Sequence, residues 1–486
     1  MSVAGLEPEL VWKYFAAISC IPRGSNNEAA VAEYVLKIAR GLGLQSRTDA
    51  AGNVLVKKPA STGRENRRSV ALQGHLDMVC EKNRNKEHDF LHDPIRLVRK
   101  GNIITADGTT LGADNGIAVA INLAIMEEQS LQHGPLELLF TVNEETGLTG
   151  AAGLSPDFLE SRILLNLDSE EEGTLFTGCA GGKDTIGAWK FQTVDVPESM
   201  SAIELKVTGL RGGHSGMDID KGRGNAIKIM NRALRTLDSL GVRLAAIEGG
   251  DKHNAIPREC EALLWIAPEK TGEAIKLVEN LNSTIRAELA GVDSGIVLAL
   301  IPAAEQKTRR VLKEYDQKKL MQTLSALPHG VIRMSADIAG LVETSTNLAV
   351  IRMEGAPDEG MIRIVTFQRS STASALDEIA DSAASVFELG GAAIERTEAY
   401  PGWKPDMNSE ILKIAKDAWR VLFNREPKVM AVHAGLECGM IGDRIPGIDM
   451  ISFGPDMEGA HSPDECIYID SVERIWHFLL EILARI

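Results

Sequence analysis

Behind Ser25 and Glu28, which read together as a capping box, the apolar positions Val31, Tyr34, Val35, Ile38 and Leu42 recur at helical spacing and predict a surface helix. Short apolar runs follow at 70–72, 136–142 and 163–167, with a helical pattern at 117–128 between the first two. This alternation predicts an α/β sheet with helices on both faces. From 183 to 201 polar residues dominate, as in a crossing between domains. The stretch 202–395 carries helical patterns at 225–240, 272–289 and 373–387, with strand patterns at 203–207, 262–266, 348–353 and 362–367. It reads as two similar α+β halves whose sequences are too unlike to form a repeat. After Tyr400, Pro401 and Gly402 the α/β style resumes, with helices at 409–423 and 471–484 and a strand at 448–453. The expected fold is therefore an α/β domain over 1–195 and 397–486, interrupted by an inserted α+β domain over 196–396.

The length of 486 residues allows two or three cores, since single cores stop growing near ~250 to 300 residues. Lys and Arg number 52 against 68 Asp and Glu, and the net charge of −16 argues against nucleic acid or anionic membrane as partners. No apolar run reaches the roughly 18 to 20 residues of a membrane span, and Glu7, Glu9 and Lys13 do not suit a signal peptide. A cytoplasmic location is expected. The six cysteines include no CxxC pair, which suits neither a disulfide framework nor a thiolate zinc site.

In open α/β sheets ligands bind beyond the carboxyl ends of the strands. There this chain places metal-ligand types. His75 and Asp77 follow the first strand and share a face, so that one can bind a metal while the other orients it. Asp114 lies in a Gly-rich turn entering a helix, where it is either a plain N-cap or a carboxylate bridging two cations. Glu144 and Glu145 end the next strand; adjacent carboxylates there are costly without a cation, and if Glu145 binds one, Glu144 is left as a general base. Asp168 ends a further strand and His461 lies in a loop beyond the last. Each feature alone is ordinary, but together two imidazoles and three carboxylates suit a pair of zinc-like cations.

The segments GHLDMV at 74–79, GTTLGADNG at 108–116, NEETG at 143–147, NLDSEE at 166–171, GGHSG at 212–216, HNAIPR at 253–258, YPGW at 400–403, HAGLECG at 433–439 and GAHSPD at 459–464 together resemble the bacterial aminoacyl-histidine dipeptidases. These belong to the aminoacylase and carboxypeptidase G superfamily of di-metal hydrolases, and the resemblance spans nearly the whole chain. It implies a di-zinc exopeptidase-like catalytic domain with an inserted lid. It also implies two divalent ions, zinc or else cobalt or manganese. His75, Asp114 and Asp168 would hold one ion and Asp114, Glu145 and His461 the other, with Glu144 as general base and Asp77 supporting His75. A cis peptide at Asp114–Asn115 is implied as well.

In the inserted domain the resemblance makes His214 a contact to the scissile carbonyl oxygen, and Asn254 and Arg369 binders of the substrate's polar ends. Arg369 reads equally as a strand-end ion pair without it. Gly435 and Glu437 either line the pocket or form a structural turn. The implied substrate is a dipeptide, preferentially Xaa-His, and a homodimer through the lid is compatible with it. An N-acyl-amino-acid deacylase of the same superfamily is the nearest alternative. A nucleotide site is disfavoured, because the stretch from Gly178 to Asp184 misses the phosphate-loop spacing.

Overall fold

The computed structural model describes residues 3–303, 308–354 and 360–486. The chain divides into two compact units, one of Met1–Cys179, Trp403–Ala431 and Leu436–Ile486, the other of Ala180–Gly402 and Val432–Gly435.

The first unit is built on an eight-stranded sheet in the order Gln45–Thr48, Val54–Lys58, Leu136–Thr141, Val70–His75, Ile163–Asn166, Asp449–Ser452, Thr174–Cys179, Lys428–Val432. Its four central strands are mutually parallel. They are buried from end to end or nearly so, which is why they read as mainly apolar runs. The helix Ala113–Glu127 is apolar on almost every side and lies inside the core. The helix Glu9–Ile18, which the sequence reading did not identify, buries Val11, Trp12, Tyr14, Phe15 and Ile18. A small four-stranded sheet pairs the hairpin Met457–Glu458 and Cys466–Tyr468 with Ile103–Ala106 and Leu97–Lys100.

The second unit carries one antiparallel sheet ordered Val297–Pro302, Ser201–Thr208, Cys260–Ile266, Arg243–Gly249, Val342–Glu354, Met361–Ser370, Gly181–Lys190, Ala393–Arg396. Gly330–Met334 adds to Val342–Glu354. The sheet is two copies of one arrangement. Ser201–Thr208, helix Ala226–Leu237, Arg243–Gly249, Cys260–Ile266, helix Thr271–Glu288 and Val297–Pro302 form the first. Gly181–Lys190, helix Glu314–Ala326, Val342–Glu354, Met361–Ser370, helix Ala373–Leu389 and Ala393–Arg396 repeat its connections and strand order. The halves join where Glu248 and Gly249 face Arg352 and Ile351.

Two readings change here. The boundary falls at Cys179/Ala180 rather than 195/196, and at Gly402/Trp403 rather than 396/397. Gly181–Lys190 mixes glycines and charged residues with apolar ones, yet pairs along its whole length with Met361–Ser370. Nor do Ser25 and Glu28 form a capping box, since the helix Ala29–Gly41 has no side-chain cap. Among the described residues, no helix is long and apolar enough to cross a membrane.

Candidate metal centre

His75 is the last residue of its strand, Glu144 and Glu145 follow Leu136–Thr141, and Asp168 follows Ile163–Asn166. Parallel pairing brings these three ends to one edge of the sheet. Asp114 is presented from the kinked first turn of Ala113–Glu127, where the Asp114–Asn115 peptide is cis. His461 occupies the tip of the hairpin after Met457–Glu458, with a positive φ of 63°.

The side chains converge as two donor sets that share Asp114. His75 Nε2 lies 3.1 Å from Asp114 Oδ1 and 3.3 Å from Asp168 Oδ1. His461 Nε2 lies 3.1 Å from Asp114 Oδ2 and 3.0 Å from Glu145 Oε2. Within each set the ligand atoms are within 4.8 Å of one another, close enough to hold one ion each, and Glu144 groups with His75 and Glu145 on the same criterion. Glu145 Oε1 is buried without a hydrogen-bond partner.

The electrostatics are those of a cation site. Asp114 and Glu145 push the His461 imidazole up to about 11 against the opposing effect of burial. Burial would lower the proton affinity of His75, but Asp168, Asp114 and Asp77 outweigh it and raise it well above the ordinary value. Burial lifts Asp168 to about 6 despite His75, and raises Glu144 well above the carboxylate range, with Asp168, Glu437 and Glu145 adding to it. Carboxylates packed this closely out of water favour bound positive charge.

Backbone contacts hold the set in place. Asp77 Oδ1 is 3.3 Å from His75 Nδ1 and also accepts the Glu144 amide at 3.0 Å, while its Oδ2 accepts the Glu145 amide at 3.2 Å. Burial acts to raise Asp77, but these bonds prevail and hold it at about 2. Asn115 accepts from the His75 amide and donates to the Leu167 carbonyl, tying two strand ends together. A Cβ at Gly74 would come within 2.5 Å of Asn115 Oδ1 and 2.6 Å of Ala118 Cβ, so only glycine admits the helix this close.

Glu465 was not anticipated. Its buried carboxylate accepts the amides of Leu111, Gly112, Ala113 and Asp114 at 2.7 to 3.2 Å, so the hairpin that carries His461 also fastens the turn that carries Asp114. Glu437 lies beneath the cluster, where its Oε2 accepts from Gln73 at 2.5 Å and from Thr141 at 2.8 Å. Burial lifts it to about 8.

In the second unit Arg369 and His214 come together, with Arg369 Nη2 3.2 Å from His214 Nε2. The same guanidinium donates to the Tyr400 hydroxyl at 2.7 Å and stacks over Phe367 at 4.6 Å. It is 3% exposed, and the charge of Asp184 acts on it. Burial, with Arg369 adding to it, lowers His214 to about 4, so the imidazole is neutral at physiological pH. His214 and Asn254 line one cavity of about 500 Å³, and the Asn254 carbonyl accepts the Ser215 amide. Gly435 ends the short segment Val432–Gly435 of this unit. The glycine-rich stretch from Gly178 to Asp184 runs through two strands, not a phosphate loop before a helix.

The family model described as peptidase family M20/M25/M40 matches residues 71–485. The cytosol non-specific dipeptidase of Escherichia coli (strain K12) is 41% identical over 482 residues, covering 99% of this chain and 98% of its own. The crystal structure of aminoacylhistidine dipeptidase from Vibrio alginolyticus is 40% identical, with a TM-score of 0.92, and the match covers 100% of this chain and 98% of that one. The aminopeptidase PepT of Bacillus cereus, 15% identical over 99% of this chain and 98% of its own, shares the fold with a TM-score of 0.62. The chain belongs to peptidase family M20/M25/M40 and is a peptide hydrolase.

Proposed function

We propose that this chain is a metal-dependent cytoplasmic dipeptidase that prefers Xaa-His substrates, β-alanyl-histidine among them. The observation that carries the reading is Asp114, whose two oxygens face separate imidazoles, each joined by one further carboxylate. His75, Asp114 and Asp168 would hold one divalent ion and Asp114, Glu145 and His461 the other. Nitrogen and oxygen donors without thiolate suit zinc, and the partnerless Oε1 of Glu145 is an acceptor such an ion would satisfy. Bound there, the ions supply Lewis-acid polarisation of the scissile carbonyl and a lowered pKa for the attacking water.

The chain's own groups supply the rest. Glu144 accepts the water's proton at its carboxylate and returns it to the leaving amine. Its proton affinity, raised by burial, suits both halves of that transfer. Asp77 fixes the His75 ring and holds the backbone of Glu144. With Nδ1 accepting the amides of Gly216 and Met217, neutral His214 carries its proton on Nε2 and donates from there to the carbonyl oxygen as negative charge develops. Arg369, a buried cation that donates to the Tyr400 hydroxyl, takes the terminal carboxylate, with Asn254, Gly435 and Glu437 about the substrate. A homodimer joined through the second unit belongs to the same reading. Its support is the sheet's outlying strands, where Val297, Ile301, Ile332 and Met334 are exposed.

The names of the Escherichia coli and Vibrio alginolyticus relatives favour a dipeptidase over a deacylase. The test is acetylation of the substrate's α-amine. Histidine release from Xaa-His should be abolished by it, whereas faster release of acetate from N-acetyl amino acids would sink the dipeptidase reading. Arg369→Ala should raise KM steeply for free dipeptides and erase the preference for a dipeptide over its C-terminal amide. Undiminished discrimination would place the carboxylate elsewhere.

A further inference from the structure

The N-terminal segment from Arg23 to Glu28 precedes the part of the chain matched by the family model, yet three of its side chains reach the loops that present the metal-centre residues. Arg23 is buried, and its Nη1 donates to the carbonyls of Leu76 and Asp77 at 2.9 Å each, while its Nη2 donates to the carbonyl of Gly112. One guanidinium thus spans the strand end beyond His75 and the turn before Asp114. A Cβ at Gly112 or Gly116 would collide with that guanidinium, so the turn is shaped to admit it. Ser25 donates to Asp77 Oδ2 at 2.8 Å. Glu28 Oε1 accepts the amides of Asn26 and Asn143, both at 3.0 Å. Asn143 has a left-handed φ of 55° and directly precedes Glu144 and Glu145. Three successive amides, of Asn143, Glu144 and Glu145, are therefore held by the carboxylates of Glu28 and Asp77.

We propose that Arg23 and Glu28 are positioning residues for the metal centre, Arg23 setting the spacing between the His75 strand end and the Asp114 turn and Glu28 setting the orientation of Glu144 and Glu145. The proposal rests on reading the cluster as a metal centre. Partners that orient metal ligands are worth roughly 10- to 100-fold in metal affinity or activity. A lysine at position 23 keeps the charge but cannot span three carbonyls. A glutamine at position 28 keeps the acceptor oxygen, and an alanine does not.

The experiment titrates Co(II) into the metal-free full-length chain, reads the visible absorption of the bound ion, and measures kcat and KM on one dipeptide. The unaltered chain should take up two Co(II). Arg23→Lys should weaken uptake at least ~10-fold and change the spectrum. Glu28→Ala should lower kcat about 10-fold or more with KM within about twofold, and Glu28→Gln should restore most of that loss. If Arg23→Lys does not fold, the two Glu28 variants decide. Unaltered affinity, spectrum and kcat in Arg23→Lys and Glu28→Ala would overturn the proposal, as would Glu28→Gln no better than Glu28→Ala. An unaltered chain that hydrolyses dipeptides without taking up Co(II) removes the metal-centre reading, and this proposal with it.

Discussion

Glu144→Gln is expected to lower kcat by at least ~100-fold while leaving two metal ions per chain and KM within a few-fold. The amide replaces the carboxylate with nearly the same shape, so the packing of this half-buried residue is kept. Its backbone is held from outside the side chain, through the bond from its amide to Asp77 at 3.0 Å. What is lost is the capacity to accept a proton from water and return it to the leaving amine. Steady-state kinetics together with metal analysis separate this outcome from loss of the site. Near-normal turnover would remove Glu144 from the role of base.

Asp114→Ala should lose both ions and all measurable turnover. Each donor set would fall to two protein ligands, His75 with Asp168 and His461 with Glu145, below the three that a catalytic zinc site ordinarily has. The turn itself should survive, because Glu465 holds its four amides and Arg23 its Gly112 carbonyl, and none of these contacts uses the Asp114 side chain. Loss of metal with a melting temperature close to that of the metal-free unaltered chain is therefore the expected combination. Two ions per chain in this variant would refute the shared carboxylate.

The candidate ligand positions were legible in the sequence for a physical reason. Central parallel strands are buried on both faces and read as mainly apolar runs, so the charged residues and histidine at or just beyond the end of each run mark the edge where a site forms. His75, Glu144, Glu145 and Asp168 all stand there. The residues that hold them were not legible. Arg23, Glu28 and Glu465 act by binding backbone amides or carbonyls of loops distant in sequence, and nothing in local spacing distinguishes such a residue from a surface charge. Glu28 even carried a misleading signal, since Ser25 and Glu28 have the spacing of a capping box but go to Asp77 and to Asn143. Gly181–Lys190 was missed because its glycines, lysines and aspartate hide a strand that lies inside the second sheet. With that strand assigned, the two halves of the second unit share one set of connections, which their sequences do not show.

The central claim is a metal-dependent dipeptidase, and the rate of histidine release from β-alanyl-histidine during zinc titration of the metal-free chain tests it most directly. The rate should rise from near zero and level off at two ions per chain. Full activity in the metal-free protein, or no histidine release at any zinc content, would contradict it.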